Sequence, residues 1–375
     1  METTSADVVI VGAGAIGCAT AYFLSREGVK VAVVEKDSIG EHASGTATGI
    51  LNPMVLDETK TESMLPLTWK SFQMHEALSK ELKETTGIDC HFRKSPQLIL
   101  AFSEHEADEF RSLAKLNQEK GIKASWLDKQ SVLNMENRLS HKLKGAIYCE
   151  DGANIECYRY VLALAQAAEK MGAEIYYGNV VGLRKTGGKV TGVKTSSREI
   201  ISHSTVLAMG PWANTASSWL GFPISVGPER GQIVKLQTSS PTLASTIFSR
   251  DYYATYKAHE GLIYIGTTHE QVGFDDGTTI EGRDTIIIGL LNILPSLVEA
   301  QVTMQTACLR PLSADGLPII GEFPLQSNAY LATGHWSKGI LLSPITALII
   351  TELILKGNTS YSINPFNPAR FIKYG

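Results

Sequence analysis

From Val8 to Val34 the chain changes its apolar rhythm twice. Val8-Val9-Ile10-Val11 is continuously apolar, as expected of a parallel strand covered on both faces. Ala15 to Glu27 then takes helical spacing, with Ala19, Tyr22 and Phe23 on one side, and Gly28 ends it. Val29 to Val34 returns to a buried run. The pattern predicts a complete strand–helix–strand unit at the start of the chain.

Farther along, spacing predicts helices over Thr61–Thr86, Glu104–Lys120, Tyr158–Met171 and Asp284–Leu294. Strands are expected at Gln97–Phe102, Ala173–Tyr177 and Thr205–Ala208. Val180–Lys185 and Lys189–Thr195 flank Thr186-Gly187-Gly188, which reads as a hairpin. Several β-type segments follow between Ile224 and Thr268, among them Gln232–Leu236 and Leu262–Ile265. The apolar run Ile340–Leu355 is short for a bilayer span and contains Pro344 and Glu352, so it is read as a buried helix and not a transmembrane segment. A parallel α/β pattern thus opens the chain, a β-rich block interrupts it twice, and an apolar helix closes it. That order predicts two interleaved domains of α/β class, the second α+β.

Composition narrows the function. At 375 residues, with 43% hydrophobic and 19% charged, the chain can fill about two cores and is neither disordered nor fibrous. The 34 basic against 38 acidic residues give a net charge of −4, so no basic excess points to nucleic acid or an anionic membrane. Cys18, Cys90, Cys149, Cys157 and Cys308 are scattered, with no closely spaced pair, which suggests neither a disulfide framework nor a metal site. The start of the chain lacks the basic region of a signal peptide, so a cytoplasmic location is expected.

The first candidate chemistry is Gly12-x-Gly14-x-x-Gly17, directly after a strand and opening a helix. The first glycine permits the turn, the second lets backbone approach a pyrophosphate, and the third lets helix and strand pack closely. Helix-start amides then bind the phosphates. Glu35, ending the second strand, stands where a carboxylate meets the adenosine ribose hydroxyls, and its charge disfavours a 2′-phosphate. FAD and NAD share this fingerprint, so the residues so far leave the two open.

Two further stretches carry a resemblance. Leu207-Ala208-Met209-Gly210-Pro211-Trp212 and the segment Gly334-His335-Trp336-Ser337-Lys338-Gly339-Ile340-Leu341-Leu342-Ser343-Pro344 resemble motifs of the D-amino-acid oxidase superfamily of FAD enzymes. The likeness is greatest to its glycine oxidase and sarcosine oxidase branch and extends over nearly the whole chain, with Arg230-Gly231-Gln232 starting a substrate-domain strand. It implies a Rossmann-like FAD-binding domain of residues 5–87, 148–222 and 306–375. The implied substrate domain, residues 88–147 and 223–305, is built on a large, mostly antiparallel sheet.

By matching position, Ala15, Ile16, Glu35, Lys36, His42, Ala43, Ser44, Thr48, Gly49, Ile50 and Val180 would line the dinucleotide, with Gly210 and Trp212 nearby. His335 to Leu341 would run beside the flavin, where the helix N-terminus stabilises negative charge on the ring. Arg310 resembles the arginine that pairs with a substrate carboxylate, its alternative being a structural salt bridge. Tyr253 resembles the tyrosine that adds a hydroxyl to the same carboxylate, in a register shared with Tyr252 and Tyr256, and His269 falls at a pocket-lining position. Glycine oxidases carry a second arginine just after the Gly-His pair. Here that charge is either missing or supplied by Lys338. Cys308 lies near where monomeric sarcosine oxidase links its flavin covalently, the alternative being a small buried thiol.

The activity implied is oxidation of the C–N bond of a small amino acid or N-alkyl amino acid of glycine, sarcosine or D-amino-acid type. A hydride passes from Cα to flavin N5, leaving an imine that water hydrolyses, and oxygen yields hydrogen peroxide. No side chain is assigned as acid or base. The second expectation is an FAD dehydrogenase of an amino, imino or 2-hydroxy acid using another electron carrier. It is favoured by Tyr264, which falls near the strand position where sarcosine oxidase keeps an oxygen-activating lysine. Oligomeric state is left open, a homo-oligomer included.

Overall fold

The computed structural model describes residues 2–372. Val8–Val11 and Val31–Glu35 are buried at every position, which is why they read as unbroken apolar runs. They lie inside a six-stranded sheet ordered Glu174–Tyr177, Val31–Glu35, Val8–Val11, Ser204–Leu207, Ala329–Thr333, Ile319–Glu322. Every pairing in it is parallel except the last. Helix Ala15–Arg26 makes the crossover between the first two parallel strands and packs against helices Cys157–Lys170 and Gly339–Lys356.

The second large sheet has eight strands, ordered Gln301–Ser313, Val226–Gln237, Leu262–Gly266, Tyr253–Lys257, Thr246–Phe248, Gln97–Ala101, Gly145–Cys149, Ala124–Asp128. It is antiparallel apart from the contact between Thr246–Phe248 and Gln97–Ala101, as the mostly antiparallel expectation requires. The expected hairpin forms, Val180–Thr186 against Lys189–Thr195. Its sheet also takes in Arg198–Ile201 and, in parallel, Glu2–Ser5. Three short strands, Ile50–Leu51, Ala153–Asn154 and Arg93–Lys94, form a small sheet of their own.

Helix ends differ from the sequence expectation where a cap decides them. The long helix begins at Glu58 because the Asp57 carboxylate accepts from the Thr59 amide, and it runs to Thr86 with Pro66 inside. The helix expected from Asp284 starts at Ile280, one turn earlier, because Thr279 caps it.

The closing helix Gly339–Lys356 is where the whole fold meets the site. Its best 18-residue window, within Trp336–Lys356, has a mean hydropathy of 1.8, long and apolar enough for a span by composition, but 61% of it is buried in the protein. Pro344 has no N–H to offer the Ile340 carbonyl, and the Ser343 hydroxyl donates there instead, at 2.8 Å. The Leu341 carbonyl one residue on accepts from Ser71 Oγ at 2.6 Å and from His75 Nε2 at 3.0 Å. The Ile345 amide in turn donates to Ser71 Oγ at 3.3 Å. The long helix therefore pins the first turn of the closing one.

Candidate active site

Between the two large sheets lies a cavity of about 980 Å³, at the upper end of what ligand sites occupy. One end is the glycine turn. Gly12 stands at φ +104°, and a Cβ there would come within 2.5 Å of the Ala208 carbonyl, so only glycine keeps strand and turn this close. The Glu35 carboxylate holds the turn, accepting from the Ala13 amide at 2.6 Å and the Asp37 amide at 2.9 Å. Ser44 Oγ accepts from Ala15 N at 3.0 Å. The Gly14 and Ile16 amides, both at the cavity wall, have no protein acceptor among the described residues. Free donors at a helix start beside a carboxylate are what a dinucleotide's pyrophosphate and ribose require, so the residues present fit FAD.

The sequence candidates converge on this wall. Ala43, Thr48, Gly49, Ile50 and Val180 line it, as do Gly210 and Trp212. Lys36 and His42 meet on Trp212: Lys36 Nζ lies 3.6 Å from a ring centroid of the indole, and the imidazole 4.6 Å from it. His42 Nε2 bonds Asp37 Oδ2 at 2.6 Å, and Phe274 stacks on the far end of the group, 5.9 Å from Trp212. Sequence reading missed Asp37 and Phe274. Two expected residues lie behind the wall: Gly17 packs against the Gly12 carbonyl, the close helix–strand approach expected of the third glycine, and Gly334 packs against Ser313 and Ile319.

At the other end the two long strands bring Arg310 opposite Glu229 in register. Arg310 Nη1 donates to Glu229 Oε1 and to the Thr268 carbonyl, each at 3.0 Å, while Nη2 donates to Thr267 Oγ1 at 2.5 Å. Of its five N–H donors, the Nε–H and one on Nη2 remain without a protein acceptor among the described residues. The structural salt bridge weighed as the alternative for Arg310 therefore exists, and it leaves part of the guanidinium fork unspent. Gly231 makes the room: a Cβ there would lie far inside van der Waals contact of the guanidinium.

Glu229 is the residue that sequence reasoning passed over. Its Oε1 also accepts from His269 Nδ1 at 2.9 Å and from Trp336 Nε1 at 2.7 Å. Burial pushes this carboxyl up, but the His269 and Trp336 hydrogen bonds and the His269 and Arg310 charges outweigh it, holding the group at about 2. Arg230, next along the strand, faces the other way and ties down the following loop through Glu270 at 2.5 Å and Asp275 at 2.7 Å.

Tyr253 lines the cavity with its hydroxyl bonded to Thr48 Oγ1, and burial lifts it to about 12, so it stays a neutral phenol. Cys308 lies beneath, 8% exposed, and burial raises its thiol, which disfavours the thiolate a covalent link needs. His335 lines the cavity, and its imidazole bonds Thr346 Oγ1 at 3.0 Å, where burial holds it neutral, near 3. Trp336, Ser337, Gly339, Ile340 and Leu341 continue the wall at the helix start. Half-buried Lys338 has the Met54 carbonyl at 3.4 Å as its acceptor, and burial brings it down to about 8.

Comparison with known proteins agrees with this geometry. The family model for FAD dependent oxidoreductases, DAO, matches residues 7–353. Glycine oxidase of Geobacillus kaustophilus is 32% identical over 98% of this chain and 97% of its own. That of Bacillus subtilis is 27% identical over 93% of each. The crystal structure of the Geobacillus kaustophilus enzyme superimposes with a TM-score of 0.94 at 31% identity, covering 99% of this chain and 100% of that one. With its glycine turn, its acidic strand end and its closing helix in the expected places, the chain belongs to the DAO family of FAD-dependent oxidoreductases.

Proposed function

We propose that this enzyme oxidises the C–N bond of a small amino acid or N-alkyl amino acid of glycine, sarcosine or D-amino-acid type. The observation that carries the reading is the pair of unspent Arg310 donors at the wall of a cavity that also holds the dinucleotide cradle. A planar carboxylate can accept from both donors of such a fork in parallel. FAD, when bound, supplies the two-electron acceptor. In this reading the dinucleotide unit is residues 5–87, 148–222 and 306–375, and the substrate unit 88–147 and 223–305.

The chain's own residues bind and orient. Arg310 anchors the carboxylate, and the neutral Tyr253 hydroxyl is the second donor to it. Glu229 keeps the guanidinium from swinging by occupying Nη1. His269 and Lys338 stand at the rim of the same space, where they would screen the charge of an incoming amino acid. Fixing the substrate at one end brings its α-carbon to one place, and such orientation is a large share of rate enhancement. Amides at the start of the closing helix favour negative charge next to them. FAD is held noncovalently, with Cys308 as a packed thiol. Five free, buried cysteines support a reducing, cytoplasmic setting.

Anaerobic mixing of the FAD-loaded enzyme with glycine, sarcosine, D-amino acids, proline and 2-hydroxy acids tests the reading. Loss of flavin absorbance with an amino acid is expected, and bleaching by 2-hydroxy acids alone overturns it. A second reading, a dehydrogenase, is favoured by Tyr264, whose hydroxyl donates to Glu260 at 2.5 Å and leaves no lysine at that strand position. Reduced enzyme that reacts slowly with air, yet quickly with a quinone, selects it.

A further inference from the structure

A second cavity, of about 480 Å³, opens elsewhere in the molecule. A single rung of the three-stranded sheet joins it to the first: Ile50 pairs with Asn154, and Asn154 with Arg93. Its wall carries more positive charge than its neighbours balance. Lys257 is only 4% exposed, yet its Nζ donates to two neutral acceptors, the Ile155 carbonyl at 3.1 Å and Asn154 Oδ1 at 3.4 Å. No carboxylate among the described residues lies in ion-pair range of Lys257 or of Arg93.

Of the acids nearby, Glu260 lies 3.5 Å from His259 Nε2 and Asp89 3.9 Å from His91 Nδ1, but none reaches Lys257 or Arg93 and each has nearer partners. Glu156 caps a helix through the Tyr158 and Arg159 amides, and Glu260 takes Tyr264 and Lys235. Asp89, on the wall itself, is bound by Lys83 at 2.6 Å. The His91 and His259 rings stack 4.6 Å apart across the same wall and add ring N–H donors. Burying an ammonium against neutral groups alone is unfavourable, and burial brings Lys257 down to about 8. A bound anion reverses that penalty.

We propose that this cavity binds a small phosphate-bearing molecule, its phosphate on Lys257 and Arg93 and its organic part against Phe92, Leu243 and Tyr256. Phosphate suits the site because a lysine acts on it as a point charge while the arginine fork pairs with two of its oxygens, and its greater charge gains more from two cations than a carboxylate does. The apolar part of the wall exceeds what a bare anion needs.

Calorimetric titration of the FAD-loaded full chain, at constant ionic strength, tests the proposal with inorganic phosphate and with phenyl phosphate. Bound FAD fills the pyrophosphate cradle and removes that competing anion site. One site per chain is expected, with phenyl phosphate the tighter ligand. Lys257→Met should weaken it about tenfold or more and Arg93→Ala severalfold, while Arg310→Ala leaves it unchanged. No binding of either probe, or affinities unmoved by both Lys257→Met and Arg93→Ala, overturns the site. Equal affinity for the two probes overturns the organic subsite. Should Lys257→Met fail to fold, the exposed Arg93 decides. Because Arg310→Ala runs in parallel, loss of amino acid oxidation with phosphate binding intact separates this proposal from the functional one.

Discussion

Glu229 and Arg310 are direct cross-strand partners whose charges meet at 3.0 Å in the wall of the cofactor cavity. A carboxylate from the protein thus takes one side of the guanidinium, and in the proposed reading a substrate carboxylate takes the other. The internal pair fixes where the arginine points and leaves its Nε–H and one Nη2 hydrogen without a protein acceptor among the described residues.

Arg310→Ala should raise KM for amino acid substrates by about 10- to 100-fold or more, the worth of a charge-assisted pair, while FAD remains bound. Arg310→Lys should recover little, since an ammonium does not reproduce the fork. Gly231→Ala should mimic the loss, because its methyl takes the space of the guanidinium. Steady-state kinetics with an amino acid and flavin absorbance of the purified variants check all three, and an unchanged KM in Arg310→Ala refutes the anchor.

Glu229→Gln should loosen the arginine and cost stability in a way that depends on pH. The folded-state carboxyl, near 2, lies below its ordinary 4.5, so its contribution is complete above about 4.5 and is lost as pH falls toward 2. The size at neutral pH is at most about 3 kcal/mol. Denaturant unfolding of both forms should show a gap at pH 7 that narrows steadily below pH 4.5. A gap that stays constant across that window contradicts the assignment.

Acid precipitation should leave the protein pellet colourless and the flavin in solution, because the raised Cys308 thiol does not supply a thiolate. Cys308→Ala should keep FAD. Yellow colour retained in the pellet, and lost in that variant, would show a covalent bond instead.

Ser343→Ala removes the hydroxyl that donates to Ile340 at 2.8 Å and meets Tyr160 Oη at 2.9 Å. Both groups are buried, so the cost should be about 1–3 kcal/mol, read as a lowered urea midpoint at unchanged m. A midpoint equal to that of the parent protein would mean that Pro344 needs no such substitute.

The frame of this site was legible because its signals are local. Apolar runs bounded by glycines marked the parallel strands, and the Gly334–Pro344 segment marked the end of the cavity opposite the glycine turn. Glu229 was not legible: two residues before Gly231 in a strand, it reads as an ordinary surface acid. Its meaning comes from register with Arg310 and from a loop that delivers Trp336, both distant in sequence. His335 shows the opposite error of scale. The residue lines the cavity as expected of the motif, yet its imidazole bonds Thr346 in the helix. Lys257 carried no signal, since its burial depends on strands that meet only after folding.

The cavity draws its wall from Val11 at one extreme and Leu341 at the other, and that last stretch is clasped by Ser71 and His75. A ribosome that has delivered the glycine turn has therefore not yet made a flavin site, however early that turn folds. The wall is complete only once synthesis reaches the final helix, and a chain interrupted before it should emerge without colour.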